Sequence, residues 1–473
     1  MLFSSIPFLY YFLPCVLAVY FLIPGGKKYS YQLKNAWIFL SSLFFYGWGE
    51  PKFLIVMLFS IVQGYIFGLL IEKFQGKKKL ARLFLSLACI ISLGLLGYCK
   101  YADFFISSVN SVSGLSIPLL NIALPIGISF YTFQILSYDV DVYRGDVKAQ
   151  KSFVALGAYI SMFSQLIAGP IVRYSDVADQ LTQRSHTLDG FALGARRFVI
   201  GLSKKMLVSN ILGELVSIFK DSDQKSVLFF WMYGIAYALH IYFDFSGYSD
   251  MAIGLGKIMG FDFPENFNYP YISASITEFW RRWHISLGSW FRDYVYIPMG
   301  GNRVSKPRWI FNIFVVWFLT GLWHGAAWNF AVWGLIYAVL LMNEKLWSLK
   351  LLKKSRIISH IYVLLFTIIG FIVFDSSTLS EAGTVISSMF GFGGYALTTF
   401  DTLYYLKSYA VVLALAIIGA TPIVPMAIKK LRANCVCGAV IDIAEPFVLT
   451  ALLAVCTAYM VDGAFNPFLY FRF

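Results

Sequence analysis

Long apolar runs separated by short polar loops fill the chain from Pro7 onward. The runs cover approximately residues 7–24, 36–49, 53–71, 82–99, 117–138, 152–172, 190–217, 227–260, 309–343, 357–375, 405–427 and 446–462. A helix needs roughly 20 apolar residues to cross the hydrocarbon core of a bilayer. The pattern predicts an all-α polytopic membrane protein with about 11 to 13 membrane helices. Since no long linker or repeat interrupts it, we expect a single membrane domain over residues 1–473.

The composition excludes a soluble domain. Hydrophobic residues make up 59% of the chain and charged residues 13%, whereas about 25% of the residues in a typical soluble domain are charged. The mean hydropathy is +0.69. The net charge of +13 therefore indicates membrane topology and contact with anionic membrane lipids, and we expect no nucleic acid partner.

Basic residues cluster in particular loops. The clusters contain Lys27, Lys28 and Lys34; Lys73 to Arg82; Arg196 to Lys205; Arg281 to Arg308; Lys350 to Arg356; and Lys429 to Arg432. Loops rich in lysine and arginine face the cytoplasm. The less basic stretches near residues 110–116, 221–226 and 376–384 then lie outside. The pattern predicts a multi-pass protein of the cytoplasmic (inner) membrane with both termini extracytoplasmic.

The most irregular stretch lies between about residues 261 and 308, where FDFPENFNYPYI is too polar and too rich in proline to span a membrane. A helix over residues 275–294 would place apolar residues on one stripe, with His284 beside it. Glu278 could pair with Arg282 at i, i+4. We therefore expect an amphipathic helix that lies at, or dips from, the cytoplasmic interface. The stripe contains Ile276, Trp280, Trp283, Leu287, Trp290 and Tyr294.

The second unusual histidine, His324, lies inside a long apolar run. Residues 309–342 contain no aspartate, glutamate, lysine or arginine, and as one helix they would extend about 51 Å, against a bilayer core of about 30 Å. Gly321 and Gly325 flank His324 and favour a kink or break there, which a membrane tolerates only against protein or a water-filled cavity. A histidine that only hydrogen-bonds between helices is the alternative interpretation.

His240 and Asp244 form a third polar group, four residues apart on one helix face. They are interpreted equally well as a proton relay, as the lining of a polar cavity, or as a pair that fixes helix register. The six cysteines predict no metal site, since the single C-x-C pair Cys435 and Cys437 lacks the four ligands of structural zinc.

Six strings between residues 125 and 330 carry a resemblance: PIGISFYTFQ (125–134), SYDVDVYRG (137–145), LIAGPIVRY (166–174), YFDFSGYSDMAIGL (242–255), EFWRRWHISLGSWFRDYVYIPMGGNR (278–303) and GLWHGAAWNF (321–330). They resemble the membrane-bound O-acyltransferases, most closely the branch that O-acetylates alginate and peptidoglycan. The resemblance implies a ring of membrane helices, with re-entrant or interfacial helices, around a central tunnel. It implies that His324 is the main catalytic group in the tunnel and that His284 assists nearer the cytoplasmic mouth.

Acyl transfer from a thioester requires a base for the hydroxyl nucleophile and donors for the developing oxyanion. His324 is the candidate base. His284, with Asn266 or Trp323, would orient the reacting groups or stabilise the charge that develops on them. The expected donor substrate is acetyl-CoA or an acyl carrier protein thioester, attracted by a basic rim, with no bound cofactor. The rim would contain Arg281, Arg282, Arg292 and Arg303.

The expected acceptor is a hydroxyl of an extracytoplasmic cell-wall or exopolysaccharide polymer, reached with an extracytoplasmic partner protein. D-alanyl transfer to teichoic acid and proton-coupled transport through His240 and Asp244 are the alternatives; a scaffold for polysaccharide export would leave His324 without a role. Tyr470, in the terminal NPFLYFRF, is interpreted either as an aromatic anchor at the outer interface or as a hydroxyl that briefly carries the acyl group.

Overall fold

Every regular element of the described residues is helical. The structure is a computed structural model and describes residues 1–25, 28–167, 169–462 and 468–469. No strand occurs in these ranges. The predicted all-α fold class is therefore confirmed.

Seven helices of the described ranges are long and apolar enough to cross a membrane, namely Pro51–Lys73, Lys78–Ser113, Val227–Ile258, Trp328–Leu352, Arg356–Asp375, Phe400–Gly419 and Cys435–Val461. They confirm the polytopic architecture. The remaining apolar runs form helices that are shorter, more polar or interrupted. The larger count of about 11 to 13 spans stays a prediction.

The chain divides into two compact units, and the division falls inside α9 and α11. The first unit contains Met1–Phe198 and Ser249–Glu265, and the second contains Val199–Tyr248 and Asn266–Phe473. The expectation of a single membrane domain stays a prediction. The helices through α11 are α1 (Leu13–Leu22), α2 (Lys28–Gly49), α3 (Leu54–Lys73), α4 (Lys78–Leu96), α5 (Ala102–Ser113), α6 (Ile128–Arg144), α7 (Phe153–Ser161), α8 (Tyr174–Thr182), α9 (Leu188–Ser203), α10 (Asn210–Asp221) and α11 (Val227–Ile258).

The helices that follow all belong to the second unit. They are α12 (Ile276–Arg282), α13 (Ile285–Phe291), α14 (Lys306–His324), α15 (Trp328–Asn343), α16 (Leu349–Leu352), α17 (Arg356–Asp375), α18 (Leu379–Met389), α19 (Phe400–Gly419), α20 (Ile423–Arg432) and α21 (Cys435–Val461). Three of them, α12, α14 and α15, share an aromatic core. In that core the ring of Trp280 lies 4.8 Å from the rings of both Trp317 and Tyr337, centre to centre.

The apolar run from 309 to 343 forms a helical hairpin, as the glycines around His324 predict. The first helix, α14, ends at His324 and α15 begins at Trp328. The two helices pack at backbone distance, because a Cβ atom on Gly321 would lie 2.2 Å from the carbonyl oxygen of Phe330, and one on Gly334 would lie 2.1 Å from that of Trp317. Only glycine permits this approach.

The expected continuous helix over residues 275–294 is wrong. The segment breaks into α12 and α13 at His284, whose φ of 44° lies in the left-handed region. The break is stabilised from outside the segment, since the Asn266 carbonyl accepts a hydrogen bond from the Ile285 amide at 3.0 Å. The predicted apolar stripe is nevertheless largely buried, and the Glu278–Arg282 ion pair forms at 2.9 Å.

We expect Gly334→Ala to lower the stability of the second unit by about 1–3 kcal/mol or more, because the added methyl group overlaps a backbone carbonyl that cannot move independently of α14. The matched control is Gly383→Ala in α18, where an added Cβ meets nothing within 4 Å. Thermal unfolding midpoints of the purified chain in detergent measure the difference. Equal midpoints for the two variants would show that the hairpin does not require close packing.

Candidate active site

A cavity of about 540 Å³ in the second unit contains both histidines singled out by the sequence. Its wall is built from α12, α13, α14 and the end of α15. The charged and titratable side chains that line it are His284, His324, Arg281, Arg292, Lys345 and Tyr296. Residues far apart in sequence therefore meet at one concave site with proton-transfer groups and positive charge.

Hydrogen bonding to Asn266 orients His284. His284 is 2% exposed, and its Nδ1 lies 3.1 Å from Oδ1 of Asn266. The same oxygen accepts hydrogen bonds from the Ser286 amide at 3.2 Å and from the Ser286 hydroxyl at 2.9 Å. Because Oδ1 is an acceptor, Nδ1 carries the proton and Nε2 is the basic nitrogen of the ring.

The electrostatic environment keeps His284 neutral. Burial lowers the pKa of His284 well below its usual value, and the nearby His324 lowers that pKa further. A neutral imidazole with a fixed tautomer can accept a proton at one defined atom. His284 therefore has the properties of a base or of a hydrogen-bonding group that responds to charge developing on its neighbour.

His324 closes α14 and lies among aromatic rings. Its ring centre is 5.1 Å from Trp323, 5.2 Å from Trp333 and 5.2 Å from Phe374. Trp323 also lies 5.9 Å from the His284 ring. Trp323 therefore contacts both histidines, and the aromatic walls limit the water that can reach His324.

The four arginines predicted to bind the donor separate into two pairs. Arg281 and Arg292 are exposed side chains on the cavity wall, although Arg292 also pairs with Asp293 at 2.6 Å. Arg282 pairs with Glu278 and donates to the Asn268 carbonyl at 3.1 Å, and Arg303 is exposed. Neither of these two lines the cavity, and a donor-binding role for the four arginines stays a prediction.

The sequence interpretation missed Lys345, which lines the cavity from the turn after α15. The signal was available, because Glu344 and Lys345 are the first charged residues after the long uncharged run. Glu344 is also structural. It is 1% exposed and accepts hydrogen bonds from the Thr277 amide at 2.8 Å and hydroxyl at 2.6 Å, which stabilises the first turn of α12.

His240 and Asp244 lie away from the cavity wall. Asp244 forms a buried ion pair with Lys205 at 2.5 Å, and the Ser209 hydroxyl lies 3.0 Å from His240 Nδ1 and 3.3 Å from Asp244. These contacts join α11 to the segment Lys204–Ser209. They form a buried hydrogen-bonded cluster between helical segments, and the choice among the three interpretations stays a prediction.

Tyr470 lies outside the described residues. The neighbouring Leu469 is held by its amide, which donates to Asp244 at 2.8 Å. Within the described ranges no group of three histidine, cysteine, aspartate or glutamate side chains could hold a metal ion.

Comparison with known proteins agrees with this geometry. The model of the membrane-bound O-acyltransferase family matches residues 144–379, a range that contains both histidines. The probable alginate O-acetylase AlgI of Pseudomonas syringae is 42% identical over 403 residues, covering 84% of this chain and 77% of that protein. The peptidoglycan O-acetyltransferase of Helicobacter pylori is 33% identical over 429 residues, covering 84% and 81%.

A more distant similarity extends over less of the chain. The teichoic acid D-alanyltransferase of Bacillus subtilis is 32% identical over 284 residues, which cover 54% of this chain and 70% of that protein. Family model, relatives and a two-histidine cavity all agree, and the chain belongs to the membrane-bound O-acyltransferase family and is an O-acyltransferase.

Proposed function

We propose that this enzyme transfers an acetyl group from a cytoplasmic thioester to a hydroxyl of an extracytoplasmic cell-wall or exopolysaccharide polymer. The cavity that contains His284, His324 and a basic wall is the observation that carries the proposal. Acetyl is favoured over D-alanyl because the similarity to the named acetylases covers 84% of the chain, against 54% for the D-alanyltransferase.

The proposed chemistry uses His324 as the general base. It takes the proton of the acceptor hydroxyl as the hydroxyl oxygen forms a bond to the thioester carbonyl carbon, and the imidazolium then returns the proton to the departing thiolate as the C–S bond breaks. Trp323 donates its indole N–H to the charge that develops on the carbonyl oxygen, and His284 orients His324 by accepting a hydrogen bond at Nε2. Asn266 maintains the tautomer that this role of His284 requires.

The donor is proposed to enter beside Arg281, Arg292 and Lys345. Acetyl-CoA carries phosphate groups and acyl carrier proteins are acidic, so positive charge on the cavity wall would attract either donor. By the positive-inside rule this wall faces the cytoplasm of the inner membrane. The acetyl end of the thioester reaches through the membrane domain toward the outer face, where the attacking hydroxyl is that of the polymer or that of Tyr470, and in the second case a partner protein passes the acetyl group from the Tyr470 oxygen to a polymer hydroxyl.

Transport is not supported by the polar pair on α11. His240 and Asp244 are engaged by Ser209 and Lys205 in a buried cluster that does not line the cavity. An acyl transfer role gives both cavity histidines a chemical task, whereas export would leave them unexplained.

We expect His324→Ala to reduce acyl transfer by about 10²–10⁴-fold, since that is the usual contribution of a general base. His284→Ala should cause a smaller but clear loss. The measurement is consumption of labelled acetyl-CoA in reconstituted membranes. His360→Ala is the matched control, because His360 lies in the same unit, bonds the Ser273 carbonyl at 3.0 Å and does not line the cavity. Wild-type rates in His324→Ala would contradict the assignment.

Charge reversal on the cavity wall should weaken donor binding. We expect Arg281→Glu to raise the KM for acetyl-CoA about threefold or more at low salt, with a smaller ratio at high salt because exposed charges are screened. Arg303→Glu is the control, since Arg303 is equally exposed but lies off the cavity. An identical, salt-independent KM in both variants would place the donor elsewhere.

The pH dependence of transfer tests the role of His284. A carboxylate in Asn266→Asp would stabilise the imidazolium and raise the low pKa of His284. His284 would then lose its neutral form at a higher pH, so the acid limb of kcat/KM should move to higher pH. Gln224→Glu adds the same charge at an exposed position of the second unit and should leave the limb in place. If the acid limb of kcat/KM stays in place in a folded Asn266→Asp enzyme, the neutral form of His284 is not required for transfer.

A further inference from the structure

Two cationic side chains are buried together in the first unit without a carboxylate. Lys34, near the start of α2, is 3% exposed, and Arg184, in the loop after α8, is 4% exposed. No ion pair of the described residues includes either of them. Removing an uncompensated charge from water is costly, and two like charges held together add repulsion.

Arg184 has one donor group that bonds no atom of the described residues. Its Nε donates to the Tyr20 hydroxyl at 2.8 Å, and its Nη1 donates to Asn35 Oδ1 at 2.8 Å and to the Gln180 carbonyl at 3.0 Å. Its Nη2 is buried and has no hydrogen-bond partner within the part of the chain that the structure describes. A buried guanidinium normally satisfies its whole fork of donors, most often with a carboxylate or a phosphate.

His186 borders this group as a neutral side chain whose one ring proton is already donated. The Tyr20 hydroxyl donates its only hydrogen to the Met259 carbonyl at 2.6 Å, so His186 Nε2, 2.9 Å from the same hydroxyl, must donate to it. Burial, followed by the charges of Lys34 and Arg184, lowers the pKa of His186 to about 4. The cluster therefore combines two positive charges with neutral donors and contains no negative charge of its own.

Aromatic contacts account for only part of the stability of these cations. The Lys34 ammonium lies 4.6 Å from the centre of the Tyr20 ring, and the Arg184 guanidinium lies 4.5 Å from that of Phe261. Ring faces attract a cation. They do not cancel the repulsion between Lys34 and Arg184, and they provide no acceptor for Nη2.

The apolar neighbours of the cluster are exposed. At the end of α1, Phe21 is 40% exposed and Leu22 is 79% exposed. The Lys34 ammonium is 5.8 Å from the Phe21 ring centre. Positive charge beside exposed apolar side chains at the end of an apolar helix is the arrangement that meets a charged headgroup with its acyl chains.

We propose that Lys34 and Arg184 form a binding site for a phosphate group, supplied by the headgroup of an anionic lipid. Phosphate oxygens accept hydrogen bonds from Arg184 Nη2 and Lys34 Nζ and neutralise both charges. The acyl chains of the lipid lie against Phe21 and Leu22. The site belongs to the first unit and is independent of the histidine cavity.

The test measures thermal unfolding of the full chain, purified in an uncharged detergent, during titration with phosphatidylglycerol, phosphatidylcholine or inorganic phosphate at constant ionic strength. A ligand that binds only the folded chain raises the midpoint. The variants are Lys34→Met, which keeps the apolar stem, and Arg184→Gln. The matched control is Lys79→Met, which removes an exposed lysine of the same unit.

Phosphatidylglycerol should raise the wild-type and Lys79→Met midpoints, and phosphatidylcholine should not. Lys34→Met should need about tenfold more phosphatidylglycerol, the loss expected for one charge-assisted contact. Without lipid, Lys34→Met should unfold at a higher temperature than the wild type, because the repulsion is gone. If Lys34 only stabilised the fold, Lys34→Met would instead unfold at a lower temperature than the wild type.

If inorganic phosphate raises the midpoint and phosphatidylglycerol does not, the cluster binds phosphate, and the proposal that a lipid supplies the phosphate is overturned. Equal lipid responses in the wild type, Lys34→Met and Arg184→Gln overturn the proposal. The proposal is also overturned if neither phosphatidylglycerol nor inorganic phosphate raises the wild-type midpoint, or if phosphatidylcholine raises it as much as phosphatidylglycerol does.

Discussion

The helix break at His284 depends on Asn266. The backbone carbonyl of Asn266 accepts the Ile285 amide and its side-chain oxygen accepts the Ser286 amide, at 3.0 and 3.2 Å. A left-handed residue interrupts the helical ladder and exposes donors that cost several kcal/mol when buried without acceptors. The same side-chain oxygen sets the tautomer of His284. One asparagine therefore determines both the direction of the chain after α12 and the position of the imidazole proton.

The α14–α15 hairpin provides the second constraint. Gly321 and Gly334 allow its helices to touch at the backbone, and His324 lies at the open end, where α14 stops. Glu344, just after α15, accepts the first amides of α12. Both histidines are thus positioned by elements that bind the same hairpin. Rigid support of this kind is what a catalytic pair requires, because small displacements reduce the rate strongly.

Buried charge is treated differently in the two units. In the second unit Lys205 is neutralised by Asp244, which also accepts the Leu469 amide, so the charges and hydrogen bonds are satisfied within the chain. In the first unit Lys34 and Arg184 lie against aromatic rings, and neither pairs with a carboxylate of the described residues. The first arrangement fixes helix packing. The second leaves two buried positive charges uncompensated, and this is the basis for the proposed phosphate site.

Features that depend on residues close together in the sequence were predictable from the sequence. Apolar run length determined the all-α membrane class, glycines beside His324 determined the break there, and spacing determined the Glu278–Arg282 pair, since each follows from helix periodicity or local backbone freedom. The continuous helix over residues 275–294 was wrong because the contact with Asn266 is invisible to periodicity. Tertiary packing alone decided that Arg281, Arg292 and Lys345 line the cavity while Arg282 and Arg303 do not. Side chains of one charge and similar spacing differ only in what folds against them, and that is a long-range property of the chain.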